Sequence, residues 1–477
     1  MESAIALNRF GLGARPDDAL PANPRAWLKD QLRRFEPRPA AMADLPTRTE
    51  IASTFADYLH GMRANRMRGR QEMSQETNVK PKGGDNKQAR QYVRKTTRDH
   101  YIAGIGARTR AALVSDTPFA ERLVHFWANH FAVSADKLMV IGLAGLFEFE
   151  AIRPNLLGSF TDMLLAVERH PAMLLYLDQA QSIGEESVLG ARLAARGRRR
   201  VGLNENLARE IFELHTLGVR TGYRQQDVTE FARALTGWTV AGIAPGPGAR
   251  AIDAVGEPGA FTFAARLHEP GVRTIMGTEY AEPGEAQARA VLQDLAMHPA
   301  TARHIATKLA RHFVADDPPP ALVARLSKAF LDSRGDLPTV YAALVDAPES
   351  WAADAVKFKT PWEWGVSALR AMGTRTIRDQ SAAALMNQLG QPVWRPGSPA
   401  GWDDNAASWM GPDALLRRVE VAERLVQRTG ELLDPRALAP RVLPDTLSPA
   451  TAQAIARADS LAQGLALLLV TPEFLRR

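Results

Sequence analysis

The densest gathering of ionisable side chains in this chain lies between Asn204 and Trp238, NENLAREIFELHTLGVRTGYRQQDVTEFARALTGW. Asn206, Glu210 and Glu213 are spaced four and three apart, so on a regular helix they form one polar row. Leu203, Leu207, Ile211 and Leu214 form a second row, displaced by one residue and suited to burial. A carboxylate on the border between these rows has its pKa raised by lost solvation and lowered by a nearby cation, which is how acid–base groups are tuned. His215 falls about five residues beyond Glu210, roughly 140° round a regular wheel and on the apolar side. Glu210, Glu213 and His215 therefore do not chelate one ion from a regular helix, and any metal needs ligands from elsewhere in the chain.

Other groups with chemical potential are scattered. Asn129 and His130 close the aromatic helix expected over TPFAERLVHFWANHF and project into a groove. Within that helix Glu121 and His125 are four apart, for which a surface or helix-end pair is expected. His304, Lys308 and His312 recur every four residues beside the Ile305, Leu309, Phe313 stripe. A lysine between two imidazoles is poor metal chemistry and suits an anion, against the alternative of a partly solvated helix face. His268 sits in the turn RLHEPG, a placement that favours function over packing. Asp227 and Glu230 fall in the first turn of a helix expected over 226–235, and Glu230 is read as the simple partner of Arg233. Trp394, Trp402 and Trp409 lie in the loop LGQPVWRPGSPAGWDDNAASW. They either stack on sugar rings or clamp the loop to the helices, and the clamp is preferred.

The elements that must position these groups are mainly helical. Apolar periodicity near 3.6 recurs along most of the chain, so the fold expected is mainly α, a large multi-helix body. After Trp238 the period shortens toward two, and TVAGI, FTFAA and VRTIMG are read as a small β-hairpin or three-stranded element around residues 238–278. An N-terminal helical segment is expected over 1–65, a basic variable linker or loop over 66–98, and the main domain over 99–477. The run Arg196 to Arg200 is read as an exposed basic loop.

Composition narrows the function classes. The chain has 477 residues, 45% of them hydrophobic and 23% charged, as in ordinary globular proteins. It contains no cysteine, which excludes disulfides, thiolate catalysis, iron–sulfur clusters and cysteine-bound zinc. A net charge of +6 favours anionic partners only weakly. No nucleic-acid recognition motif accompanies that charge, so a nucleic-acid role is not expected. No run of about eighteen apolar residues is present to span a membrane. The opening MESAIALNRFGLGARPDD lacks the features of a secretory signal, so a cytoplasmic location is expected, with export alongside a partner left open.

The phrases ALNRFGLGARP, FWANHF, HPAMLLYLD, NENLAREIFELHTLGV, DVTEFARALTGW, LHEPGVRTIMG, HPATARHIATKLARHFV, KFKTPWEW and LGQPVWRPGSPAGWDD resemble, in order and over nearly the whole chain, the bacterial family of domain of unknown function 1800. The resemblance implies a mostly helical protein and, in many genomes, a neighbour similar to sulfatases and alkaline phosphatases. It brings no catalytic residues.

From the residues, the expectation is an enzyme whose pocket gathers Glu210, Glu213 and His215 with His130 and His268. Asn206, Asn129, Asp227, Arg233, Lys308 and His304 would contact substrate. Such a set suits hydrolysis or elimination on a saccharide or other anionic substrate, with a divalent metal held by His and Glu as one variant. The rival reading is a noncatalytic helical scaffold for a sulfatase-like partner, in which the polar row serves buried partners and no open pocket exists.

Overall fold

The structure, a computed structural model, describes residues 1–73, 84–197, 202–245, 256–429 and 433–477. Proline and short polar side chains set where helices begin. Asn23, Asp336, Thr360, Ser448 and Thr471 each accept a backbone N–H in the first turn of a helix that carries proline at its start, satisfying donors that the helix itself leaves free. In the two His-Pro-Ala phrases the imidazole does this work. His170 Nδ1 accepts from the Ala172 N–H and His298 Nδ1 from the Ala300 N–H, which accounts for two histidines as caps.

The described residues form a mainly helical body with two small antiparallel ribbons. Trp238–Val240 pairs with Phe261–Phe263 and Arg273–Ile275 pairs with Thr278–Tyr280, so the expected β-element around 238–278 is two separate two-stranded pieces. Residues 66–73 and 84–98, expected in a linker or loop, instead continue the helices Arg48–Met73 and Gly84–Val114. The break at 80–84 that suggested a connector lies almost wholly outside the described residues, as do Arg198 to Arg200 of the basic run.

Three elements carry most of the candidate side chains or their partners. The helix Pro118–His130 is buried along almost its whole length and touches the π-turn Phe147–Ile152 and the helix Pro24–Arg34. Glu121 and His125 are therefore not a surface pair: Glu121 takes both terminal nitrogens of buried Arg153 at 2.7 and 2.8 Å, and His125 packs edge-on to Trp362. Burial forces this rearrangement, because a carboxylate removed from water needs a cation with matched geometry. The helix Pro299–Phe313 buries Ile305, Leu309 and Phe313 as its periodicity requires. The third element is the helix Asn206–Glu210, which passes into a π-turn over Ile211–His215. There the Thr216 N–H bonds to the Ile211 carbonyl five residues back, so the regular wheel used to separate Glu210 from His215 does not apply.

Candidate functional site

The end of the helix Pro118–His130 meets the last two turns of Pro299–Phe313 and the loop that carries Trp394, Trp402 and Asp404. Between them lies a bay of about 470 Å³ whose walls include Asn129, His130, Lys308, Arg311, His312 and Trp402. Asn129, His312, Trp402, Asp403 and Asp404 also border a second, smaller chamber of about 80 Å³, whose far wall is His125, Trp362, Glu363 and Arg122. The loop is fastened to the helix end by Asn129, whose amide donates to the Trp402 carbonyl at 2.8 Å and accepts from the Trp402 N–H at 2.7 Å. Gly401 precedes this clamp at φ +83°, and a Cβ there would collide with the Asn129 carbonyl, so this position requires glycine.

The most ordered chemistry in the bay is at His312. Its Nδ1 lies 2.7 Å from the Asp404 carboxylate, and Asp404 also lies 3.1 Å from the Lys357 ammonium, which bonds Asp316 at 2.6 Å. Burial alone would raise the Asp404 pKa, but His312 and Lys357 outweigh it and hold this carboxyl well below the ordinary range. Burial lowers the His312 pKa despite Asp404. The imidazole is accordingly neutral, with its proton on Nδ1, and its buried Nε2 has no hydrogen-bond partner. On that side Nε2 is 3.9 Å from Glu363. Burial would raise the Glu363 pKa, yet the flanking Arg122 and Arg477 guanidinium groups bring it down to about 2.

Lys308 is the free cation of the bay. Among the described residues no carboxylate stands within ion-pair distance of it, while burial pulls its pKa down to about 8. Arg311, one turn away on the same rim, is an exposed residue that bonds through Nε to the Asp316 carbonyl.

Behind His130 stands a second layer. His130 Nε2 lies 3.2 Å from the His215 carbonyl, and His215 Nδ1 lies 2.7 Å from Glu168, with both side chains of that pair fully buried. His304 sits on the other side, its ring 6.0 Å from that of His130 and its Nε2 3.1 Å from the Leu214 carbonyl. Burial, reinforced by Lys308, holds His130 well below its ordinary pKa and brings His304 to about 4.

The sequence candidates thus divide. Asn129, His130 and Lys308 line one cavity, with His304 and His215 touching it through His130. Glu210 is half-buried nearby, and desolvation raises its pKa. Glu213 faces away toward Arg209, at 3.8 Å, and Tyr223. Asn206 is exposed at the start of its helix. His268 is held by the Thr236 carbonyl at 2.9 Å and packs on Phe263. Asp227 accepts from the Arg224 and Met276 N–H groups. Arg233 bonds Glu230 at 2.5 Å, the simple pairing its spacing suggests. Trp394 and Trp409 are clamps, donating to Glu148 and to the Asp403 carbonyl, whereas Trp402 faces both cavities. Among the described residues no group of three or more His, Asp or Glu side chains is disposed to hold a metal ion.

Asp404, Glu363, Lys357 and Glu168 were not singled out by the sequence. The first three lie in the phrases GWDD and KFKTPWEW, but His312 and Asp404 are 92 positions apart and His215 and Glu168 are 47 apart. Spacing rules do not reach that far; the density of polar groups in otherwise aromatic phrases was the available signal.

No described helix is long and apolar enough to cross a membrane. Neither the curated proteins nor the solved structures hold a match to this chain. One family model, described as Protein of unknown function (DUF1800), matches residues 5–476. That match takes in every element of the bay and nearly the whole sequence, and the chain therefore belongs to the DUF1800 family.

Proposed function

We propose that this protein is an acid–base enzyme, a hydrolase or lyase, that takes an anionic substrate into the bay between Asn129, Lys308 and Trp402. One observation carries the reading: His312 is oriented by Asp404 through Nδ1 while its Nε2 is buried without a partner on the side of the small chamber, and His312, Asn129 and Trp402 join that chamber to the bay, which holds an unpaired lysine and is large enough for a sugar-sized ligand. In this scheme His312 Nε2 takes a proton from the attacking water, or from the substrate carbon in an elimination, and the imidazolium so formed returns it to the departing oxygen. Asp404 keeps the ring in the tautomer that presents a lone pair inward, and stabilises the imidazolium once formed. Lys308 and Arg311 hold the anionic group, and the Trp402 indole offers a face to the rest of the substrate. Glu168 and His215 set the position of His130 on the floor of the bay. Glu210 lies behind this layer as a carboxyl biased toward its protonated form. A purely structural scaffold has no use for an unpaired half-buried ammonium, which weighs against the rival reading.

The test uses nitrophenyl sulfate, phosphate, acetate and glucuronide, with calorimetric binding of sulfate, phosphate and glucuronate. The expected result is turnover of at least one ester or glycoside, with kcat lost in His312→Gln and KM raised in Lys308→Met. Turnover unaffected by His312→Gln, or neither turnover nor binding across the panel, refutes the proposal.

A further inference from the structure

The inner chamber is walled by two imidazoles whose free nitrogens have opposite character. Trp362 Nε1–H can only donate, and it lies 3.1 Å from His125 Nδ1, so that nitrogen is an acceptor and the proton of neutral His125 sits on Nε2. At His312 the assignment is reversed, because the Asp404 carboxylate accepts at Nδ1 and leaves a lone pair on Nε2. Both Nε2 atoms are buried without a hydrogen-bond partner, and both histidines line the same chamber. One therefore presents a donor and the other an acceptor. The Trp402 indole N–H, a second donor without a partner, borders the chamber too. Buried polar groups of native proteins are nearly always satisfied, and these two atoms are buried with no protein partner, so a group entering the chamber is what would satisfy them. A carboxylate would meet His125 but repel the His312 lone pair; an ammonium would do the reverse. A hydroxyl both donates and accepts.

From this juxtaposition of His125 and His312 we infer that the inner chamber is a hydroxyl seat, in which one oxygen donates to His312 Nε2 and accepts from His125 Nε2–H. This deepens the acid–base reading and rests on it: the seated hydroxyl is the group that His312 deprotonates, and His125 is a further binding residue that fixes its oxygen. The chamber, at about 80 Å³, accommodates water or the alcohol end of a substrate, and the test separates these sources.

Crystals of the full chain would be compared before and after soaking in glucose, alongside 15N NMR of the imidazole tautomers. One oxygen bridging both Nε2 atoms is expected. A water that persists in glucose marks a lytic water, and a sugar oxygen replacing it marks a substrate alcohol; either outcome supports the inference. An empty chamber, an oxygen bonded to one imidazole only, or a His125 proton on Nδ1 overturns it. His125→Phe keeps a ring against Trp362 and should lose the bridging oxygen; if it is retained, the inference fails. Loss of turnover in His312→Gln with none in His125→Phe would sink the seat while leaving the acid–base proposal standing, whereas full turnover in both would sink the proposal itself.

Discussion

Acidification from pH 7 to pH 5 is the perturbation to which the buried histidines respond most directly. His125 and His130 are held well below their ordinary pKa by burial, then by neighbouring cations, Arg108 for the first and Lys308 for the second, and His304 is brought to about 4. In the unfolded chain each titrates at about 6.5. As the pH falls through that value the unfolded state binds protons that the native state refuses, so stability declines down to the folded pKa. For one histidine moving from about 6.5 to about 4, the loss between pH 7 and pH 5 integrates to about 2 kcal/mol. His304 is partly open to solvent, so its share is discounted to about 1 kcal/mol, and His125 and His130 add to the loss in the same direction. Glu210, with its raised pKa, opposes the trend, but as one partly exposed group it offsets only a fraction. Each kcal/mol lost in this way is a sizeable fraction of the total stability of about 5–15 kcal/mol typical of folded proteins. Urea unfolding followed by tryptophan fluorescence at pH 7, 6 and 5 measures it, and His304→Gln should flatten the decline by about 1 kcal/mol. Equal unfolding free energies at pH 7 and pH 5 would show that these imidazoles are not held neutral, and the reasoning would be wrong.

Packing yields two more expected outcomes. Glu121→Gln removes the charge that matches buried Arg153 and should cost about 3–5 kcal/mol in urea unfolding, while Glu121→Leu combined with Arg153→Met should cost less than the single change; the opposite order would refute the pairing argument. Gly401→Ala should destabilise by at least about 1 kcal/mol because its φ of +83° and the Asn129 carbonyl both exclude a side chain, and thermal denaturation matching the parent would refute it.

Local rules carry a long way along this chain. The buried face Val228, Phe231, Ala232 and Leu235 and the helix Gln225–Leu235 follow from a period of 3.6 residues. Gly218 and Gly222 take the positive φ that ends one helix and turns the chain, and the Glu230–Arg233 pair follows from spacing alone. The stripe His304, Lys308, His312 was visible for the same reason. What the spacing could not supply was its counterpart: whether that face meets water, a carboxylate or a cavity depends on a loop about ninety residues downstream. Glu121 illustrates the limit from the other side, since its nearest helical neighbour His125 lost to Arg153 once burial made a bidentate cation worth more than a neutral imidazole.

The π-turn at Ile211–His215 marks a second limit. A single extra residue per turn re-aims His215 toward Glu168 and the back of His130, and no periodic pattern in ELHTLG announces it. Residue order alone was enough for the helices, their buried stripes and the absence of thiol chemistry, because each depends on residues within a turn or two of one another or on composition. Packing in three dimensions settled which polar groups were desolvated, which were paired, and that Asn129, Lys308, His312 and Asp404 share one hollow. Charges acquire their pKa values from whatever the fold places within a few ångströms, and that proximity is a property of packing, not of order along the chain.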